Sequence, residues 1–183
     1  MFHLEKEEGN TGISFFNRQI IKSAESIVAI TVAAATPKTP SLNNTTNMRL
    51  ISLKQDEYKA VLPVNHPLVQ KETLDYKDLN EQPFLLLEHG GKTEVSELLE
   101  KHNVHPNIRF TTWKDYAIMA MVEKGLGIGV LPEMILKCVP YQIAIRSFRT
   151  PYFREIVLAM KDRKKMTPAV EKFIEYLKYK DMD

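Results

Sequence analysis

The chain has 183 residues, 44% hydrophobic and 26% charged, an ordinary globular composition with enough apolar side chains to bury one core. A net charge of +2 is too mild to mark a nucleic-acid binder, and residues 1–46 balance Lys6, Arg18, Lys22 and Lys38 against Glu5, Glu7, Glu8 and Glu25. The single cysteine, Cys138, excludes an internal disulfide; the polar start MFHLEKEEGN reads as no signal peptide and residues 27–35 are too short to span a bilayer, so a cytoplasmic protein is expected.

Residues 20–35 admit two readings. Ile20, Ala24, Ile27 and Val28 recur at helical spacing, while IVAITV is β-branched enough for a strand. The helix is preferred. Residues 36–47, TPKTPSLNNTTN, read as an irregular linker. From Met48 the pattern becomes regular. Residues 57–62 predict a strand stopped by Pro63, residues 74–79 a turn or short helix, and residues 84–87 an apolar strand broken by Gly90-Gly91. A helix over residues 93–102 follows, capped by Thr93, with Val95, Leu98 and Leu99 on its apolar face and Asn103 at its end.

Residues 107–111 form the next expected strand. Thr112-Trp113-Lys114-Asp115 fits a capping box, and the helix behind it is expected to bury Ala117, Ala120 and Met121 and to stop at Gly125. Then come a short strand at 126–131, a helix at 133–137 opened by Pro132, and strands at 142–148 and 154–160. The last helix starts from Thr167 and Pro168, with Val170, Phe173, Ile174 and Leu177 buried. Alternating strands and helices predict an α/β fold with a mainly parallel sheet.

Catalytic motifs are weak. Gly91-Lys92-Thr93 resembles the end of a phosphate-binding loop, but position 86 is Leu where that loop needs Gly. Gly125, Gly127 and Gly129 follow a helix and precede a strand, the reverse of a dinucleotide fingerprint. His102 and His105 lack further metal ligands nearby and read as surface residues, His89 as a loop residue able to meet a ligand, and Cys138 as packing. No pair of carboxylates and no nucleophile–base set is readable, so no enzyme, cofactor or metal is expected. Binding fits better. Residues 88–93 and 111–113 each join an expected strand end to a helix start, where backbone N–H groups and a partial positive charge favour a small anion, and Lys92 adds a cation.

Several pieces come in a familiar order. They are Tyr58-Lys59-Ala60-Val61-Leu62-Pro63 with His66-Pro67-Leu68, Leu79 to Pro83-Phe84, Gly90-Gly91-Lys92-Thr93, Asn107-Ile108-Arg109-Phe110, MVEKGLGIGVLPE at residues 121–133, and Pro168-Ala169-Val170 with Phe173. On these, residues 48 to about 178 resemble the effector domain of LysR-type transcription regulators. The resemblance implies a fold like type II periplasmic binding proteins, with two α/β lobes around a cleft that takes a small organic or amino acid-like effector. It implies effector contacts at Gly90, Gly91, Lys92 and Thr93, at Thr111, and at Gly127 and Ile128. Lobe closure would couple to DNA binding through an oligomer.

The expected organisation is a helix-turn-helix remnant at 1–19, a linker helix and linker at 20–47, and an effector domain at 48–183. Within the last, 60–138 make a complete lobe and 139–180 the closing part of the other. The chain thus reads as a shortened regulator in which specific DNA binding is impaired, self-association is possible and no membrane is involved. A stand-alone small-molecule-binding module is the competing reading. It is distinguished by whether residues 20–35 pack on residues 142–178.

Overall fold

Two strands begin the computed structural model, which describes residues 16–23, 26–33, 48–88, 93–137, 139–161 and 168–179. Strands β1 (Phe16–Ser23) and β2 (Ser26–Ala33) pair antiparallel from Phe16↔Val32 to Ser23↔Ser26. The helix preferred for residues 20–35 is therefore corrected to a hairpin. The β-branched run favours extended backbone. It also gains a distant partner, β9 (Phe153–Lys161), against which Val28 to Ala33 pair with Met160 to Glu155. Local helical spacing carries no information about that partner. This pairing is the contact that the module reading required.

The 16-residue strand β3 (Met48–Pro63) divides the molecule at Tyr58. Met48 to Glu57 pair with β9, from Met48↔Lys161 to Glu57↔Phe153. Tyr58 to Pro63 turn to different neighbours, β7 (Gly129–Pro132) and β8 (Ile143–Phe148). The outer half is thus β1-β2-β9-β3. The inner half adds β4 (Thr73–Leu74) beyond β8, and it reaches β5 (Pro83–Leu87) and β6 (Asn107–Thr112) through a bridge between Phe84 and Ile128. β8, expected with the closing part of the other lobe, pairs with the second half of β3 and with β4.

The sheet is mixed. Ladders β5·β6 and β4·β8 and the Phe84–Ile128 bridge are parallel, as strand–helix alternation implies. The ladders of β3, and of β2 with β9, are antiparallel, a larger antiparallel share than expected. The reason is the path of the chain, which crosses between the halves along β3 and returns along β8 and β9.

The inner half carries the core. Helices α1 (Glu94–Lys101), α2 (Asp115–Glu123) and α3 (Glu133–Leu136) flank it, and α4 (Pro168–Tyr179) closes the described chain. Alternation along the strands divides the side chains between two faces. Tyr58, Ala60 and Leu62 join Phe84, Leu86, Ile128 and Val130 beneath α1, which contributes Val95, Leu98 and Leu99. Val61, Leu85 and Leu131 face the other way, beneath α2 and α3. Each fully buried Leu or Phe stabilises by roughly 1.5–3 kcal/mol relative to an exposed one. The buried face of α2 is Ile118, Met119 and Val122, with Ala117, Ala120 and Met121 half-buried, so the expected face is corrected by a rotation of the helix. In α4, Ile174 is buried and Phe173 half-buried; the side chains of Val170 and Leu177, and Thr167, lie outside the described residues.

The glycine turn now has a steric cause. Gly125 takes φ +73° at the end of α2, where an L side chain is strained. A Cβ on Gly127 would lie 2.7 Å from the Pro83 carbonyl oxygen, and one on Gly129 would lie 2.8 Å from Ile118. These residues let β7 approach β5 and α2 together. No helix among the described residues is long and apolar enough to cross a membrane.

Candidate functional site

Strand direction decides where a site can form. β5 and β6 are parallel, β7 runs parallel to β5, and β3 runs antiparallel to β7 with Tyr58 opposite Pro132. The C-terminal ends of β5, β6 and β7 therefore lie at one end of the inner sheet, and so does the dividing point of β3. Ligands of open α/β sheets collect at that end. Helices α1, α2 and α3 start from it, behind Thr93, Lys114 and Pro132. Their first N–H groups and partial positive charge attract carboxylates and phosphates.

The three starts are closed differently. Thr93 is buried; its Oγ1 accepts from the Ser96 N–H at 3.2 Å, and its own N–H donates to the Ser96 hydroxyl at 2.7 Å. Thr93 is thus the expected cap, and the Glu94 and Val95 N–H groups have no acceptor within the helix. At α2 the expected capping box is corrected. β6 continues through Thr112, whose carbonyl accepts from the Glu88 N–H at 2.8 Å, and Lys114 holds the cap position without a side-chain hydrogen bond. Thr112 Oγ1 meets the Lys114 N–H at 3.3 Å instead. At α3 the cap comes from another strand: Asp56 Oδ1 accepts from the Met134 N–H at 2.9 Å.

Asp56 also anchors the crossing. Its Oδ2 accepts from Arg154 Nε at 2.9 Å and lies 2.8 Å from Nη2, with the Asp56 side chain 1% exposed. The Arg154 guanidinium stands 5.8 Å from the centre of the Tyr58 ring, and the Tyr58 and Tyr152 rings are 5.7 Å apart. The Tyr58 N–H donates to the Tyr152 carbonyl at 2.9 Å. Burial raises the Tyr58 hydroxyl pKa far above its ordinary value; Glu94 pushes the same way and Arg154 opposes. Burial, then Glu97 and Glu94, also raise Tyr152. Sequence reading missed Asp56, Tyr58, Glu94, Tyr152 and Arg154 as a group. The salt-bridge partners are 98 positions apart, and the only signal was an acid and a base of opposite sign on two separate strands.

The expected site residues separate into three sets. Thr93 and Thr111 lie at the open end, Thr93 buried and Thr111 exposed opposite Leu86. Gly90, Gly91 and Lys92, with His89, lie outside the described residues. Gly127 and Ile128 stand at the far end of β5, beside Pro83 and Phe84, roughly 13 Å along the strand from Leu87. Ile128 is wholly buried; its N–H donates to the Pro83 carbonyl and its carbonyl accepts from the Leu85 N–H, each at 2.8 Å. The structure thus gives these two a packing part beside the start of β5, away from Thr93 and Thr111. The His102 ring lies tilted against Tyr76 with centroids 4.1 Å apart, His105 meets Asn103 at 3.2 Å, and Cys138 is outside the described residues.

A model of the LysR substrate binding domain matches residues 31–181. The chain belongs to this family. The LysR match begins within β2, ahead of Met48, so part of the front hairpin is included in it. The HTH-type transcriptional regulator YvbU of Bacillus subtilis, itself uncharacterized, is 26% identical over 136 residues, 73% of this chain and 47% of that protein. The regulatory domain of CcmR from Synechocystis, solved in complex with 2-PG, superposes with TM-score 0.67 at 22% identity, over 82% of this chain and 73% of that one. The effector-binding domain of QuiR in complex with shikimate gives 0.62 at 18% identity, over 81% and 69%. These likenesses establish the periplasmic-binding-protein-like fold of LysR effector domains. The chain spans about half the length, or less, of the curated relatives it matches.

Proposed function

We propose that this LysR domain senses a small carboxylate- or phosphate-bearing molecule at the open end of its inner sheet, where the β3–β9 crossing meets the starts of α1, α2 and α3. One observation carries the reading: the first N–H groups of α1, which have no acceptor within the helix, start at the same sheet end as the Asp56–Arg154 crossing. Thr93, Thr111 and the loop residues Gly90, Gly91 and Lys92 are assigned to the effector, and Gly127 and Ile128 to packing. The chemistry is binding rather than catalysis, with no cofactor required. The QuiR domain was solved with shikimate, a small carboxylate, and the CcmR domain with 2-PG, and a small-molecule site agrees with both.

In a longer protein such a domain would control transcription through a DNA-binding segment, in the cytoplasm and as an oligomer. A second reading, a self-contained binding module, is favoured by the pairing of β2 with β9, which gives the outer half of the sheet its own hairpin cover. Thermal melts against small carboxylates, amino acids and phosphates test the sensing role. A ligand of the folded state raises stability by RT ln(1 + [L]/Kd), so a rise is expected with at least one compound at millimolar concentration, and none with any refutes it. Fluorescence anisotropy with labelled DNA separates the two readings: sequence-dependent nanomolar binding by this chain would exclude the module.

A further inference from the structure

Glu94 is the first residue of α1 and is 7% exposed, yet its Oε1 is buried with no hydrogen-bond partner among the described residues. Burying a lone carboxylate is strongly unfavourable unless a donor or a cation meets it, and the helix start offsets only part of that cost. α1 packs with Tyr58 and Tyr152 in one buried cluster through Val95, Leu98 and Leu99, and the Glu94 carboxylate raises the pKa of both hydroxyls. On the same helical face, Lys101 stands 5.8 Å from the Tyr152 ring. Among the described residues, Arg154 is committed to Asp56, and Lys59 to Glu57 and Ser147. The N–H groups of Glu94 and Val95 are adjacent and suit a carboxylate. One turn of helix thus presents a negative group and positive N–H dipoles side by side.

We infer that the effector is a zwitterion, an α-amino acid whose carboxylate sits on the Glu94 and Val95 N–H groups and whose ammonium meets the Glu94 carboxylate. This rests on the small-acid reading and narrows it, because a purely anionic ligand would be repelled by Glu94. The ammonium supplies the missing partner for Oε1, and the Tyr58 and Tyr152 rings give it an apolar wall.

The test compares L-amino acids with their deaminated acids, L-glutamate against glutarate and L-alanine against propionate among them, by thermal melts of wild type and Glu94→Gln. The expected result is a melting rise with one amino acid but not with its deaminated partner. Affinity for that amino acid should fall about tenfold or more in Glu94→Gln, the loss of one charge-assisted contact. Without ligand, Glu94→Gln should melt at or above the wild-type temperature, because a lone buried charge is gone; a clear drop would mean that the carboxylate already has an internal partner, and would overturn the proposal. Equal shifts from an amino acid and its deaminated acid would also overturn it and leave the small-acid reading standing. No shift from either kind removes both. The wild-type comparison decides the matter even if the variant does not fold.

Discussion

The two halves of β3 obey different rules. Met48 to Glu57 lie in a sheet with β9 and the β1–β2 hairpin, held by antiparallel ladders to distant strands. Tyr58 to Pro63 lie among β7 and β8, with helices on both faces and close contacts that need glycine. One strand thus serves a hydrogen-bond-dominated region and a packing-dominated region. The boundary between them, at Asp56 to Tyr58, is where the buried Asp56 carboxylate pairs with Arg154. A site at such a boundary can feel both halves, which is what an effector that shifts their arrangement needs.

Breaking the boundary should have the largest effect. Asp56→Ala leaves Arg154 unpaired and uncaps Met134, and breaking a buried pair from one side costs about 3–5 kcal/mol. Urea denaturation of the variant should show that loss; less than about 1 kcal/mol would mean that the crossing is not a structural joint. Gly127→Ala strains the packing-dominated half alone, because its Cβ would meet a backbone oxygen at 2.7 Å, and should destabilise by about 1–3 kcal/mol with ligand response kept. A loss of ligand response at unchanged stability would return Gly127 to the effector site. Thr93→Ala should cost about 1 kcal/mol and Thr93→Ser much less, by the same denaturation, since the hydroxyl does the capping.

A last effect concerns alkaline pH. Burial, and then Glu57, raise the pKa of Tyr76 from 10.0 to about 12, and its hydroxyl donates to the Thr150 carbonyl at 2.5 Å. The neutral form is favoured in the folded state. Its contribution is full below pH 10 and is lost as pH rises through about 12. Denaturation midpoints followed across that window should fall less steeply in Tyr76→Phe than in wild type; identical slopes would show that Tyr76 does not report folding.

The comparison of halves also explains what the sequence disclosed. The inner half was legible because its signals are local: Pro83 before an apolar run, Thr93 ahead of Val95, Leu98 and Leu99, and Gly125 to Gly129 before Pro132. The outer half was not. IVAITV satisfies helical spacing as well as strand propensity, and only β9, more than a hundred residues later, decides between them. The face of α2 was misjudged for a related reason: small alanines suit a helix flank, and only the strands beneath it show that Ile118 and Val122 point inward. At the site, Thr93 was legible as a cap and Thr111 as a strand end. Glu94 was not singled out from the sequence, because a missing partner is a property of three dimensions.

Titrating isotope-labelled protein with the panel of small acids, while following backbone amide resonances, tests the central claim most directly. The expected result is saturable shifts gathered at Glu94, Val95, Tyr58, Met134 and Arg154, on both sides of the β3–β9 crossing. Shifts gathered instead around Pro83, Gly127 and Ile128, or none with any acid, would contradict an effector site at the open end of the sheet.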